Sequence, residues 1–294
     1  MPPFELALVL LSGLLHASWN AATKGSDTPT SFLLAMEVVS LLLFVPILAL
    51  GFDPREVPPA VWALVLASAL IHAFYAFLLS RAYAHTELSI AYPIVRSTPA
   101  FVPFVAVPLL GESVSPLGAL GIALVVLSLW AVTADGRFDA RAFRSRGARL
   151  AYLTLLTTVG YSLVDKEAMR ILGEAPWSSR VPPSVAYLTL MFVLYLPCFM
   201  LLARGTASAA EVAHVLRTRT ASVAGAALVA FVSYVLVLRA METAPVSYIT
   251  AVRQSSVLFA LAIGVLALRE PPRRLRLLGG LANVAGVALI GLFP

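Results

Sequence analysis

The chain has 294 residues, 60% of them apolar and only 12% charged, with a mean hydropathy of +0.90, which excludes a water-soluble domain of ordinary composition. Its 21 basic residues against 15 acidic ones give a net charge of +6. They sit in short joints between apolar runs, a distribution that suits membrane orientation and not nucleic acid. The single cysteine, Cys198, lies inside an apolar run and excludes an intrachain disulfide and a multi-cysteine metal site, so no cofactor or metal is expected.

Spanning helices need roughly 20 mainly apolar residues. Ten such stretches follow one another at 4–23, 30–50, 59–83, 88–110, 115–133, 148–170, 183–203, 219–242, 246–268 and 273–293. The first has the apolar core of a signal peptide at Leu6–Leu15, but it lacks a basic leader and carries Glu5, so it is read as an uncleaved helix. Pro54, Pro58, Pro59, Pro182 and Pro183 mark the ends of stretches. The longest hydrophilic joint, 134–149, holds five arginines and reads as a connector. Gly118, Gly121, Gly279, Gly280 and Gly286 allow close helix contact.

An internal repeat links the two ends of the chain. At an offset of 158 residues, Arg81-Ala82 faces Arg239-Ala240, Ser89 faces Ser247, Ser97 faces Ser255, Phe101 faces Phe259, Glu112 faces Glu270 and Gly121 faces Gly279. Positions 81–130 match identically at 12 of 50 without a gap. At an offset of 142, Ser18-Trp19-Asn20 through Lys24 faces Gly160-Tyr161-Ser162 through Lys166. Each repeat then holds five helices, and an odd number turns the second copy upside down in the membrane. The predicted fold is therefore an all-α membrane protein of ten transmembrane helices in two inverted five-helix repeats, 1–133 and 148–294, joined by the arginine-rich connector 134–147.

Joints after odd-numbered stretches carry 14 Lys and Arg, those after even-numbered stretches carry 5. By the positive-inside rule the richer side is cytoplasmic, which puts both termini outside.

Polar residues inside the stretches are the candidate binding groups. Arg96 and Arg253 lie about eight residues inside the fourth and ninth stretches, roughly 12 Å deep at 1.5 Å per residue. A guanidinium there needs a cavity or a partner, and its fork of donors suits a carboxylate or phosphate-type anion. The alternative is a permanent ion pair with Glu37 or Asp165. Arg96 aligns with Gln254, so the two arginines stand one position out of register. On the fourth stretch Tyr92, Arg96, Pro99 and Pro103 share one face, either as a kinked cavity wall or as a packed kink. Val257 stands where the repeat puts the counterpart of Pro99, so the ninth stretch is expected to lack that kink. His16, Trp19, Asn20 and Thr23 form a stripe on the first stretch, and Thr157, Thr158, Tyr161, Ser162 and Asp165 one on the sixth. These read as a site wall or as interhelical hydrogen bonds. His72, Tyr75 and Tyr234 extend the set, while Glu37, Asp165, His16 and His72 are the groups able to couple transport to protons. Glu112 and Glu270 read as helix caps or as gate contacts to arginines such as Arg273.

Together these features resemble the drug/metabolite transporter superfamily, EamA type, over nearly the whole chain. The resemblance is carried by the doubled unit, Trp19-Asn20 with Lys24, Thr98-Pro99, Gly111-Glu112, Arg269-Glu270 and the Gly-rich stretch after each. It implies a ten-helix inverted repeat, a central cavity lined mainly by helices 1, 3, 4, 6, 8 and 9, and export or exchange of a small metabolite at the inner or plasma membrane. It also implies termini in the cytoplasm, opposite to the charge count. An enzyme is not expected, since no H-E-x-x-H, paired aspartate or G-x-S-x-G pattern occurs. A lipid-handling or sensory protein on the same fold is the rival reading.

Overall fold

The computed structural model describes residues 1–24, 28–133, 142–204, 207–266 and 274–294. Arg137, Arg141, Arg269, Glu270, Arg273 and most of the connector lie outside them. The described residues form α1 (Pro3–Lys24), α2 (Pro29–Leu48), α3 (Pro59–His85), α4 (Leu88–Arg96), α5 (Val102–Leu110), α6 (Pro116–Thr133) and α7 (Arg146–Glu174) in the first part of the chain. They continue with α8 (Pro183–Leu202), α9 (Ala209–Thr218), α10 (Thr220–Met241), α11 (Val246–Val252), α12 (Ser256–Leu266) and α13 (Arg274–Leu292). No strand occurs among them. Proline opens α1, α2, α3, α6 and α8, where its missing N–H would have had no partner and its fixed φ suits the first turn.

Within the described residues each predicted stretch is helical, the fourth and ninth as two pieces each, α4/α5 and α11/α12. Five helices, α2, α3, α8, α10 and α13, are long and apolar enough to cross a bilayer by length and composition. The sequence reading missed α9. Its signal is present: Ser208 and Glu211 form a reciprocal capping box at its start. Ten residues with one apolar side, packed on α2 and α10, make it a surface helix rather than a span.

Exposure is reversed relative to a soluble protein. Leu42, Phe104, Leu127 and Leu281 are each more than 60% exposed, whereas Ser12, Ser68, Thr154, Asp165 and Asn283 are buried. That arrangement fits hydrocarbon outside and hydrogen-bonded polar groups inside.

The packing obeys the repeat. Helix α1 lies on α10 as α7 lies on α3, and α2 lies on α10 as α8 lies on α3. Likewise α11 and α12 pack on α1 as α4 and α5 pack on α7, while α6 meets its own counterpart, α13. The two ends of the chain share one face: the Met1 amine donates to Ile290 O at 2.8 Å, and Leu6 lies against Gly291.

At the α6–α13 crossing, a Cβ on Gly121 would stand 2.7 Å from Gly286 O, and one on Gly286 would stand 2.6 Å from Gly121 O. Both obstacles are backbone. The same seam is tied by Asn283, whose amide donates to Ser128 Oγ at 2.9 Å. Gly286→Val is expected to destabilise the protein by about 1–3 kcal/mol through overpacking. Gly225→Ala, whose Cβ meets nothing within 4 Å, serves as the neutral control in the same thermal unfolding experiment.

On the face of the termini, the joint between α2 and α3 is pinned to the joint between α7 and α8. Glu56 accepts from the Ser178 hydroxyl, the Ser179 hydroxyl at 2.6 Å, and both backbone amides. Those donors, the Ser178 hydroxyl foremost, hold its carboxyl down at about 2 instead of 4.5. A value lowered by folding stabilises the fold fully above the ordinary carboxylate range, and that contribution is lost as pH falls toward 2. Acid titration of thermal stability is therefore expected to be flatter between pH 4.5 and 2 in Glu56→Gln than in the parent protein.

Candidate functional site

Both interrupted helices break at an arginine. Arg96 is the last residue of α4, followed by a 3-10 turn, Thr98–Ala100, and α5. Pro99 and Pro103 stand in the first turns of the pieces they open, so they begin new segments instead of kinking one continuous helix. Arg253 opens the 3-10 turn Arg253–Ser255 between α11 and α12. The expectation that the ninth stretch lacks a break is thus corrected. A 3-10 turn needs only slight tightening of helical torsions, here φ −59° and ψ −23° at Arg253, and no proline. Gly13 of α1 lies directly on this turn, where a Cβ would meet Ser255 Oγ at 2.8 Å.

Arg96 donates from Nη2 to His16 Nε2 at 2.7 Å, and its guanidinium lies over the Tyr92 ring, 5.2 Å from the centroid. A guanidinium only donates, so His16 presents its lone pair there. The His16 ring meets Trp19 edge-on at 5.0 Å. Arg253 lies over the Tyr234 ring at 5.0 Å. Its Nε is buried and finds no hydrogen-bond partner among the described residues. Tyr234 carries the contacts of Arg253 on to His72, whose ring it meets edge-on at 5.8 Å. Neither arginine forms an ion pair with Glu37 or Asp165 among the described residues.

Asp165 has a different setting. Fully buried, it accepts from Ser68 Oγ at 2.5 Å, from Tyr187 Oη at 2.7 Å and from Tyr234 Oη. Ser68 and Tyr187 were not singled out from the sequence. Ser68 could have been, since it continues the face of His72 and Tyr75 at helical spacing on α3. Tyr187, in an apolar run with no repeat counterpart, gave no signal. His72 stacks on Tyr161 at 4.0 Å and meets Tyr234 edge-on at 5.8 Å, while Tyr75 meets Tyr161 edge-on at 5.5 Å.

Other candidates are satisfied closer to home. Asn20 donates to His16 O at 2.7 Å in its own helix, and Thr157, Thr158 and Ser162 donate to carbonyls three or four residues back. Gln254 is buried with its amide nitrogen 3.5 Å from Thr250 O and its Oε1 unpartnered. Glu37 is half-buried on α2, and its charge reaches Tyr195 of α8. Glu112 caps α11, accepting from the Val246 and Ser247 amides and the Ser247 hydroxyl. Glu270 lies outside the described residues.

The described residues are all-helical, and the two related parts of the chain bring Arg96, Arg253 and several aromatic rings together at two interrupted helices. The family model of the EamA-like transporter family matches residues 3–134 and 169–292, and the chain belongs to that family of membrane transporters of small molecules. No curated protein sequence matches it. A solved structure described only as the crystal structure of a protein is similar over 98% of this chain and 96% of its own, with a TM-score of 0.75 at 14% identity. That likeness concerns the fold.

Tyr187→Phe removes one of the three donors to a buried carboxylate and leaves its lone pair bare. A loss of about 1.5–3 kcal/mol is expected, the scale of a hydrogen bond to a charged group, read by thermal unfolding.

Proposed function

We propose that the protein carries a small metabolite bearing a carboxylate or other anionic group, amino acids included, across the cell membrane by alternating access. The observation that supports this is the pair Arg96 and Arg253: two guanidiniums at the breaks of repeat-related helices, each over a tyrosine ring, with no carboxylate paired to either among the described residues. An intramembrane cation left without a counter-ion is costly, and a bound anion relieves that cost. The tyrosines, Trp19 and His16 supply flat apolar walls with polar edges around it. Ten crossings, five in each of the halves 1–133 and 148–294, let the halves rock about this centre and expose it to each side in turn. The arginine-rich face is cytoplasmic in this reading.

The test is flux in proteoliposomes against a panel of amino acids, other carboxylates, phosphorylated metabolites and organic cations. Anionic or zwitterionic hits are expected. Arg96→Ala and Arg253→Ala are each expected to lower their flux by about 10- to 100-fold, the equivalent of roughly 1.4–3 kcal/mol. Lysine substitutions restore it only in part, since an ammonium lacks the planar fork. Hits confined to organic cations, or unchanged flux in both alanine variants, would sink the reading.

A further inference from the structure

Anion binding alone does not require the Asp165 assembly. The carboxylate is fully buried, its three donors are neutral hydroxyls, and its nearest cationic link runs through Tyr234 to Arg253. Burying a carboxylate is costly unless it accepts hydrogen bonds, and here neutral hydroxyls supply them.

Ser68 has a second group within reach of its hydroxyl. His72 Nδ1 lies 3.1 Å from Ser68 Oγ and 3.0 Å from Ser68 O, so it can accept from the hydroxyl or donate to the carbonyl. Two complete patterns result. In one, Ser68 donates to an ionised Asp165 and His72 donates from Nδ1 to Ser68 O. In the other, a protonated Asp165 donates from Oδ1 to Ser68 Oγ, and Ser68 donates to His72 Nδ1, with the imidazole proton on Nε2. The passage between them balances. A proton arriving at His72 Nε2 drives the Nδ1 proton onto Ser68 Oγ while Ser68 hands its own to Asp165 Oδ1. One proton enters, one carboxylate becomes a carboxylic acid, and His72 ends neutral with its other nitrogen protonated. No backbone atom has to move.

We infer that Asp165, reached through Ser68 and His72, is a proton-binding site filled and emptied together with the anion site, so that the carrier moves its anion with a proton. This rests on the anion reading above. Tyr234 joins the two sites, its hydroxyl on Asp165 and its ring face under Arg253. An ionised Asp165 balances part of the Arg253 charge, and a neutral one leaves that charge to the incoming anion. By linkage the anion strengthens proton binding by the same factor.

The groups around Asp165 are consistent with one titrating relay. Helix α3 contributes Ser68 and His72, α8 Tyr187, α10 Tyr234, and the turn after α11 contributes Arg253. Tyr161 of α7 itself lies in the field of Asp165, and Arg96 of α4 acts on Tyr161. Helix α5 and the turn Thr98–Ala100 carry no titratable residue. Arg144 lies in the turn before α7, toward the opposite end of that helix. Tyr248 of α11 is engaged by the Ser115 amide, and Lys166 donates to Met241 O and Ala244 O. Of these groups, histidine is the one whose ordinary titration falls near neutrality.

Proteoliposomes loaded with a pH-sensitive dye test this, with a panel of L-amino acids and benzoate as probes. Protons are expected to move with the carboxylate in the same direction, and flux is expected to fall about tenfold per pH unit on the alkaline limb, as one-proton linkage requires. In Asp165→Asn, whatever flux remains carries no protons and no longer responds to pH. Ser68→Ala keeps the carboxylate and both tyrosines, and it is expected to shift the pH of half-maximal flux. Should Asp165→Asn fail to fold, the parent protein and Ser68→Ala decide the matter between them. Carboxylate flux without protons, or an unshifted profile in Ser68→Ala, overturns the inference and leaves the anion reading standing. Absence of any carboxylate flux overturns both.

Discussion

A polar group in the hydrocarbon of a bilayer has no water to turn to, so each must find its partner inside the protein. Much of this molecule obeys that demand by local means. Ser12 meets Ser233 across α1 and α10, Asn283 meets Ser128 across α6 and α13, and Lys166 closes the carbonyl end of α10. Against that background, four consecutive residues stand out. Arg253 Nε, Gln254 Oε1, Ser255 Oγ and Ser256 Oγ are all buried without a partner among the described residues. They occupy one short turn in the middle of the ninth stretch, where α1 passes over Gly13. Donors and acceptors are left open together there, next to a cation.

What could be read from the sequence followed from the same physics. Helices in a membrane declare themselves by length and hydropathy, and the polar matches at a fixed offset placed the two arginines on equivalent helices before any coordinates. The break at Thr98–Ala100 was legible because proline marks it. Its partner at Arg253–Ser255 was not, because a 3-10 turn is a small change in torsion that many side chains tolerate. Asp165 was visible as a lone acid, but its donors Ser68 and Tyr187 come from other helices. Which helix faces which is a tertiary fact, and hydroxyls are too common to mark it. Helix α9 was missed for a simpler reason: a search for spans passes over ten residues that lie along the surface.

The halves are related and yet unequal in how they hold the site. Arg96 is anchored by a hydrogen bond to His16, while Arg253 rests on a ring face with a donor still free. Gln254, not a second arginine, stands at the strict counterpart of Arg96. Such asymmetry leaves one arginine tied to a neighbouring helix and the other held by a ring face alone.

The shared face of the two termini has a consequence for the history of the chain. A unit with an odd number of crossings that is copied in tandem must insert once in each sense, so the same local joint faces opposite compartments in the two copies. Sequence that had to stay alike for packing was therefore under opposite demands for charge. The joints record this. Arg81 and Arg239 are equivalent by repeat, yet Arg239 is paired to Glu242 on the termini's face, and Arg170 on that face is paired to Glu167 and Glu174. The same residue thus serves at two opposite faces, and on one of them a neighbouring carboxylate neutralises it.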